Sequence, residues 1–118
     1  MVDPVLHGIS NCDTVRRARA WLTEQGVDYA FHDFKKSGVS AESLARWADA
    51  VGWEKLLNRQ GTTWRRLPDA DRAAVTERDA ALQLMATQPS VIKRPVVEWP
   101  DGSVTVGFDA AHWGARPG

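Results

Sequence analysis

The sequence has one cysteine, Cys12, in 118 residues. An internal disulfide is therefore excluded, and so is a cysteine-based metal cluster, which needs several thiolates together. No apolar run approaches the roughly 20 residues needed to span a bilayer, so no membrane association is expected. The opening Met1-Val2-Asp3-Pro4 has no basic stretch leading into an apolar one, and no export signal is expected. Nor is there an excess of charge of either sign, since 15 Lys+Arg face 15 Asp+Glu. A general binder of nucleic acid or of an anionic membrane would need such an excess, so neither is an expected partner. A lone thiol in such a chain fits a reducing compartment, and a cytoplasmic location is expected. The sequence holds no internal repeat, phosphate-binding glycine loop, dinucleotide fingerprint or Ser-His-Asp arrangement. His7, His32 and His112 have no metal-ligand spacing, so no metal and no bound cofactor are expected.

What remains is the composition of an ordinary folded domain, 43% hydrophobic and 25% charged. A chain of this length fits one domain and buries roughly two thirds of its unfolded surface. Val5-Leu6-His7 is short and apolar and reads as a buried strand. A polar loop, Gly8 to Asn11, leads to Cys12. From Thr14 the period becomes helical, with Val15, Ala18 and Leu22 on one face, until Gly26. Asp28 to Phe34 alternates and reads as a second strand. The result is a βαβ unit, which favours a parallel pair with a right-handed crossover.

Lys35 to Val39 reads as a turn. Ser40 can cap a helix whose stripe is Leu44, Trp47, Ala48 and Val51. Asn58 to Arg66 is polar and basic and reads as a loop, and a short helix is expected over Asp69 to Val75. Thr76-x-x-Asp79 resembles a capping box before Ala80 to Ala86. Pro95 to Trp99 and Val104 to Val106 flank a Pro-Asp-Gly-Ser turn and read as a hairpin. Asp109 can cap a last helix from Ala110 to Trp113. The expected order is β-α-β, a helical insert over about 38–89, then β-β-α.

Three segments carry candidate chemistry. A cysteine just before a helix meets unpaired backbone N–H groups and the positive end of the helix dipole, and both favour the reactive thiolate. The adjacent Asp13 opposes this. Arg16, one turn on, either steadies the thiolate or is simply exposed. Two readings thus fit Cys12, a reactive sulfur with a lowered pKa and a buried structural thiol. The second segment, Ile92-Lys93-Arg94-Pro95, opens the terminal hairpin. In a thioredoxin-like topology that strand carries a cis proline facing the active thiol, so a cis Arg94–Pro95 bond is expected. Arg94 would then reach Cys12 and bind an anion with its planar fork. The third segment, Asn58 to Arg66, has Arg59, Arg65 and Arg66 among hydroxyl and amide donors. It reads either as an oxyanion or peptide-carboxylate site, with Arg59 foremost, or as a solvated loop. His7 reads either as a neighbour of the sulfur or as a half-buried strand residue.

Taken together, Gly8-Ile9-x-Asn11-Cys12-Asp13-Thr14, the run from Leu56 to Leu67 and Ile92-Lys93-Arg94-Pro95 resemble the ArsC-like family, which includes arsenate reductases, Spx-type regulators and YffB-type proteins. The YffB-type branch is the most similar in these motifs, and the resemblance runs over nearly the whole chain. It implies an α/β, thioredoxin-like fold with a mixed four-stranded sheet, as one domain over 1–118 with the helical insert. It implies an oxidoreductase with Cys12 as nucleophile and an anion-binding Arg94 beside the cis Pro95, with Arg59 as a second arginine; Arg94, Arg59, Pro95 and, from its place one turn after Cys12, Arg16 are the expected substrate-binding residues. Arsenate reductases of the family hold the oxyanion with three arginines and use glutathione and glutaredoxin. Arg94 matches one of the three by position. Arg59, or Asn58 in an alternative alignment, falls on another, and Gly107-Phe108 stand where the last would be. The family's histidine near the loop falls on Gly8, one residue from His7. The YffB branch implies a glutathione-dependent thiol–disulfide reductase, with glutathione as co-substrate; a small oxyanion or thiol substrate and a monomer are expected. Arsenate reduction is the alternative. A third is an Spx-like RNA polymerase-binding regulator, although such relatives usually carry Cys-x-x-Cys and here Val15 follows Cys12 by three.

Overall fold

The computed structural model describes residues 3–115. The chain forms two compact units, one of residues up to 33 with those from 94 onward, the other of residues 34–93. The helical insert expected at about 38–89 corresponds to the second of these.

The first unit starts with β1 (Val5–Gly8), α1 (Asp13–Glu24) and β2 (Ala30–Asp33). Its later part is β3 (Val96–Glu98), β4 (Val104–Val106) and α8 (Ala110–Gly114), numbered after the helices of the second unit. The strands make a mixed four-stranded sheet in the order β2-β1-β3-β4. β1 runs parallel to β2, and β3 is antiparallel to both β1 and β4. This is the thioredoxin-like arrangement. Side chains alternate across the strands. Leu6 of β1 and Val97 of β3 therefore face α1, where they pack with Val15, Ala18, Leu22 and Trp113, all buried. The Asp-Gly turn forms as expected, with Trp99 N–H bonding Ser103 O at 2.9 Å and Gly102 at φ +90.

β2 is shorter than its pattern suggests and ends at Asp33, because β1 offers it only the register from Val5↔Ala30 to Gly8↔Asp33. Phe34, expected in the strand, instead begins a helical turn and is fully buried.

The second unit is helical: α2 (Phe34–Ser37), α3 (Ala41–Val51), α4 (Trp53–Leu56), α5 (Thr62–Arg66), α6 (Asp69–Ala73) and α7 (Arg78–Thr87). Ser40 caps α3 through its hydroxyl, which accepts the Ser43 N–H at 3.0 Å. Leu44, Trp47 and Ala48 are the buried stripe of α3, and Ala81 and Met85 that of α7. An antiparallel bridge between Leu57 and Ile92 ties the unit's last residues to the segment that follows α4, with backbone bonds of 2.8 Å from Asn58 N–H to Val91 O and from Lys93 N–H to Leu56 O.

Three local expectations here are corrected. The turn read over Lys35 to Val39 begins as the helix α2. The basic segment is not wholly a loop: its second half is α5, whose first bond runs from Arg65 N–H to Gly61 O at 3.2 Å. The Thr76 capping box does not form. Thr76 N–H bonds Ala74 O in the link between α6 and α7, and α7 is capped one residue later, at Glu77, without a side-chain bond.

Candidate active site

Cys12 is the N-cap of α1, with extended backbone (φ −93, ψ 127). Its N–H bonds Ile9 O at 3.2 Å and its carbonyl accepts the Arg16 N–H at 2.9 Å. A short loop thus turns the chain from β1 into the helix within four residues. Asp33, at the end of β2, holds that loop by accepting the Ser10 N–H at 3.3 Å. The register that ends β2 at Asp33 therefore also fixes the approach to Cys12.

The sulfur is half-buried against the α1 core. Burial is the largest single influence on it and opposes ionisation. It is outweighed by the first amides of α1, at Val15 and Thr14, and by the donors and charge of the Arg94 guanidinium; the Cys12 side chain makes no close cap hydrogen bond. The net effect holds the Cys12 thiol below its ordinary value. This follows from an N-cap position, where the first amides of a helix have no other partner.

Arg94 reaches Cys12 from the residue that leads into β3, and the Arg94–Pro95 peptide is cis. Pro95 is buried, and its carbonyl accepts the Gly107 N–H at 2.8 Å. Gly107 stands at φ +81, a left-handed conformation that a residue with a Cβ rarely adopts. The position where the resemblance looks for a further arginine is thus taken by a residue chosen for its backbone.

Arg16 does not turn to the sulfur. Its guanidinium pairs with Asp13 Oδ1 at 2.5 Å and lies 3.4 Å from Asn11 O. This also answers the objection from Asp13, whose carboxylate faces a cation of its own. His7 lies on the sheet face opposite Leu6. It is buried, bonded through Nε2 to Glu98 Oε1 at 2.6 Å, with its ring 5.2 Å from that of His32. Proximity in sequence to Cys12 is misleading here, because strand alternation sends neighbouring side chains to opposite faces. Arg59 belongs to the helical unit, where its guanidinium lies near the rings of Trp53 and Trp64. The structure therefore brings together Cys12, Arg94 and Pro95, and turns Arg16 away. Sequence reasoning missed Asp33. Its signal was an acidic residue ending the strand beside β1, which the register converts into a loop anchor. Among the described residues no group of three or more metal-ligating side chains is present. No helix among them is long and apolar enough to cross a membrane.

Comparison with known proteins agrees with this arrangement. The chain is 46% identical to a YffB protein of known structure, with 95% of this chain and 96% of that one covered and a TM-score of 0.89. It is 49% identical to an arsenate reductase (ArsC) related protein from Brucella melitensis, over 98% of this chain and 94% of that one, with a TM-score of 0.76. It is 33% identical to an uncharacterized protein of Haemophilus influenzae over 93% of this chain and 95% of that one. The global transcriptional regulator Spx of Streptococcus mutans is 27% identical over 74% of this chain, which spans 64% of that protein. The pattern of the ArsC family matches residues 7–115. A thioredoxin-like sheet, a cysteine at the N-cap position of its first helix and an arginine before a cis proline thus occur in a chain that belongs to the ArsC family.

Proposed function

We propose that this chain is a monothiol, glutathione-dependent thiol–disulfide reductase with Cys12 as its nucleophile. The observation that carries the reading is the place of Cys12 at the N-cap of α1, where the Arg94 guanidinium and the Val15 and Thr14 amides act on its sulfur and favour the thiolate. Thiolate is the attacking species in disulfide exchange. In the first step the Cys12 sulfur attacks the glutathione sulfur of a mixed disulfide between glutathione and a substrate thiol. A Cys12–glutathione bond forms, the substrate's S–S bond breaks, and the substrate leaves as a thiolate that takes a proton from water. In the second step a glutathione thiolate attacks the glutathione sulfur held by Cys12. Oxidised glutathione leaves and Cys12 returns as thiolate. Two electrons pass from glutathione to the substrate, and the chemistry needs no second thiol from a chain that has one. Arg94 stabilises the charge each time it returns to Cys12, and its fork suits a glutathione carboxylate.

Arsenate reduction is the second reading, supported by the similarity to the Brucella melitensis protein. A tetrahedral oxyanion needs several fixed cations around it. The Gly107 N–H is already bonded to Pro95 O, and the position carries no charge.

Intact-mass measurement after incubation with oxidised glutathione tests the proposal. One glutathione adduct is expected on the protein and none on Cys12→Ser. Arsenate-dependent NADPH consumption in the presence of glutathione, glutaredoxin and glutathione reductase, without an adduct from oxidised glutathione, would replace the first reading with the second. Co-purification with RNA polymerase core subunits and no adduct would favour a regulator like Spx.

A further inference from the structure

Among the described residues His7 is the one buried residue that is polar or charged. It lies in β1 between Leu6 and Gly8, and its Nε2–H donates to Glu98 Oε1 of β3 at 2.6 Å. The ladder between the two strands has three pairs, Val5↔Glu98, Leu6↔Val97 and His7↔Val96. The bond therefore runs diagonally across the ladder, on the sheet face away from α1. The ring of His32, directly opposite His7 on β2, meets the His7 ring edge-on at 5.2 Å. Apolar patterning does not fix the register of this ladder. Register is ordinarily set because a slip by one residue turns a strand's apolar side chains out of the core. In β3, however, Val96 and Val97 are both fully buried, one on each face. A one-residue slip exchanges one valine for the other and leaves both faces apolar. Glu98 is the residue of β3 that tells one register from the next, and His7 is the residue of β1 that reads it.

We infer that the His7–Glu98 bond is a register lock between β1 and β3, and that these two side chains are positioning residues for the encounter of Cys12 with Arg94. Cys12 is five residues beyond His7 and Arg94 two residues before Val96, so the register of β1 against β3 decides where the one meets the other. A slip by one residue displaces Arg94 along β1 by about 3.3 Å, as far as a whole hydrogen bond is long. The action of the guanidinium on the sulfur does not survive such a shift. A pair of apolar side chains would hold the strands together as well, since replacing a buried polar pair in this way is often neutral for stability. What apolar side chains lack is direction. A carboxylate and an imidazole bond only where their atoms meet, whereas apolar side chains pack in either register. His7 thus acts on the site without touching it. The inference rests on the thiol chemistry proposed for Cys12 and adds the residues that bring its sulfur and Arg94 together.

The test compares the whole wild-type chain with the double variant His7→Leu, Glu98→Val and with the single variant Glu98→Gln. NMR reads the register through the NOEs between β1 and β3, of which the wild type should show one set, with Leu6 opposite Val97. The double variant is expected to keep its urea midpoint and to show a second set of β1, β3 and Cys12 signals from the slipped register. Its Cys12 alkylation rate at neutral pH should fall, by at most about fivefold, as the slipped population loses the guanidinium. Glu98→Gln keeps an acceptor for the His7 N–H and should hold one register and most of the rate. In an Arg94→Gln background the double variant should slow alkylation no further, a non-additivity that a merely structural role does not produce. One wild-type set of NOEs in the double variant overturns the inference, as does a fall in rate of equal size with and without Arg94. An unfolded double variant beside a wild-type-like Glu98→Gln overturns it too, because the pair would then hold the fold rather than the register. The NOEs are read without any thiol chemistry and the glutathione adduct is read by mass, so this inference and the reductase reading fail separately.

Discussion

Gly8 lies so close to Val15 that a Cβ built on it would come within 2.7 Å of one Val15 methyl and 3.3 Å of the other. Val15 is fully buried on α1, three residues after Cys12. Its β-branched side chain has one strongly preferred rotamer in a helix and cannot swing clear. Gly8 therefore sets how closely the end of β1 approaches the helix start that carries the sulfur. Gly8→Ala is expected to cost about 1–3 kcal/mol, the usual range for overpacking. It should also slow Cys12 alkylation at neutral pH, because the Val15 amide, which favours the thiolate, must move with its side chain. Urea unfolding and iodoacetamide kinetics check both effects. Wild-type values for stability and rate together would show that the contact sets nothing.

Trp113 closes the same core from α8. Its ring meets those of Phe108 at 4.8 Å, Trp99 at 5.2 Å and Trp21 at 5.8 Å, all edge-to-face. The helix is too short to form alone, so its cap and its buried ring must hold it. Trp113→Ala should cost about 3–5 kcal/mol. Asp109→Ala, which removes the 3.2 Å cap bond to His112 N–H, should cost about 1 kcal/mol. Comparing the urea midpoints decides the matter, and equal losses would contradict the dominance of the ring.

Much of this was legible in the sequence because local rules and the fold agree. The Val15, Ala18 and Leu22 spacing, the Ser40 and Asp109 caps and the Asp-Gly turn each state one element without help from the rest of the chain. Cys12 before a helix and Arg94 before a proline were likewise visible. That they meet is a property of the sheet, in which β1 and β3 are neighbours although distant in sequence. What misled was local proximity. His7 is five residues from Cys12 yet on the other face, and Arg16 is one turn away yet claimed by Asp13. The end of β2 was misplaced because its length is set by its partner strand, and Phe34 is apolar enough to suit either a strand or a buried helical turn.

The Asp13–Arg16 pair is expected to matter little. Both side chains are exposed, at 87% and 59%, and such pairs contribute about 0.2–1 kcal/mol. Arg16→Ala should leave the pH midpoint of Cys12 alkylation where it is in the wild type, since the influences on the sulfur come from Val15, Arg94 and Thr14. A clear rise of that midpoint in Arg16→Ala would restore the role the sequence suggested for it.

Arg94 should behave otherwise. It acts on the sulfur by a hydrogen bond and by charge, and Arg94→Gln removes the charge while Arg94→Lys keeps it and loses the fork. The alkylation midpoint should move up in Arg94→Gln and by less in Arg94→Lys. At neutral pH the rate should fall about fivefold in Arg94→Gln, a charged hydrogen bond discounted for the half-exposed site. Identical pH profiles for wild type and both variants would mean that the guanidinium does not act on Cys12.

The lowered pKa of Cys12 also makes stability depend on pH, with a definite sign. At a pH below the folded-state value the thiol is protonated in both states and contributes nothing. As pH rises from there toward the ordinary value of 9.0, the unfolded chain still holds a proton that the folded chain has lost, so stability rises with pH. Above 9.0 both states are ionised and the gain is complete; it is lost again as pH falls through the folded-state value. Cys12→Ser lacks this contribution, while every other titrating group is common to both proteins. The difference in unfolding free energy between wild type and Cys12→Ser, measured in urea from about pH 6 to about pH 9.5, should therefore grow in favour of the wild type as pH rises. In an Arg94→Gln background the same difference should grow less, because one of the groups that outweigh burial is gone. A difference that shrinks with rising pH would mean that burial wins and that the sulfur is held as a thiol.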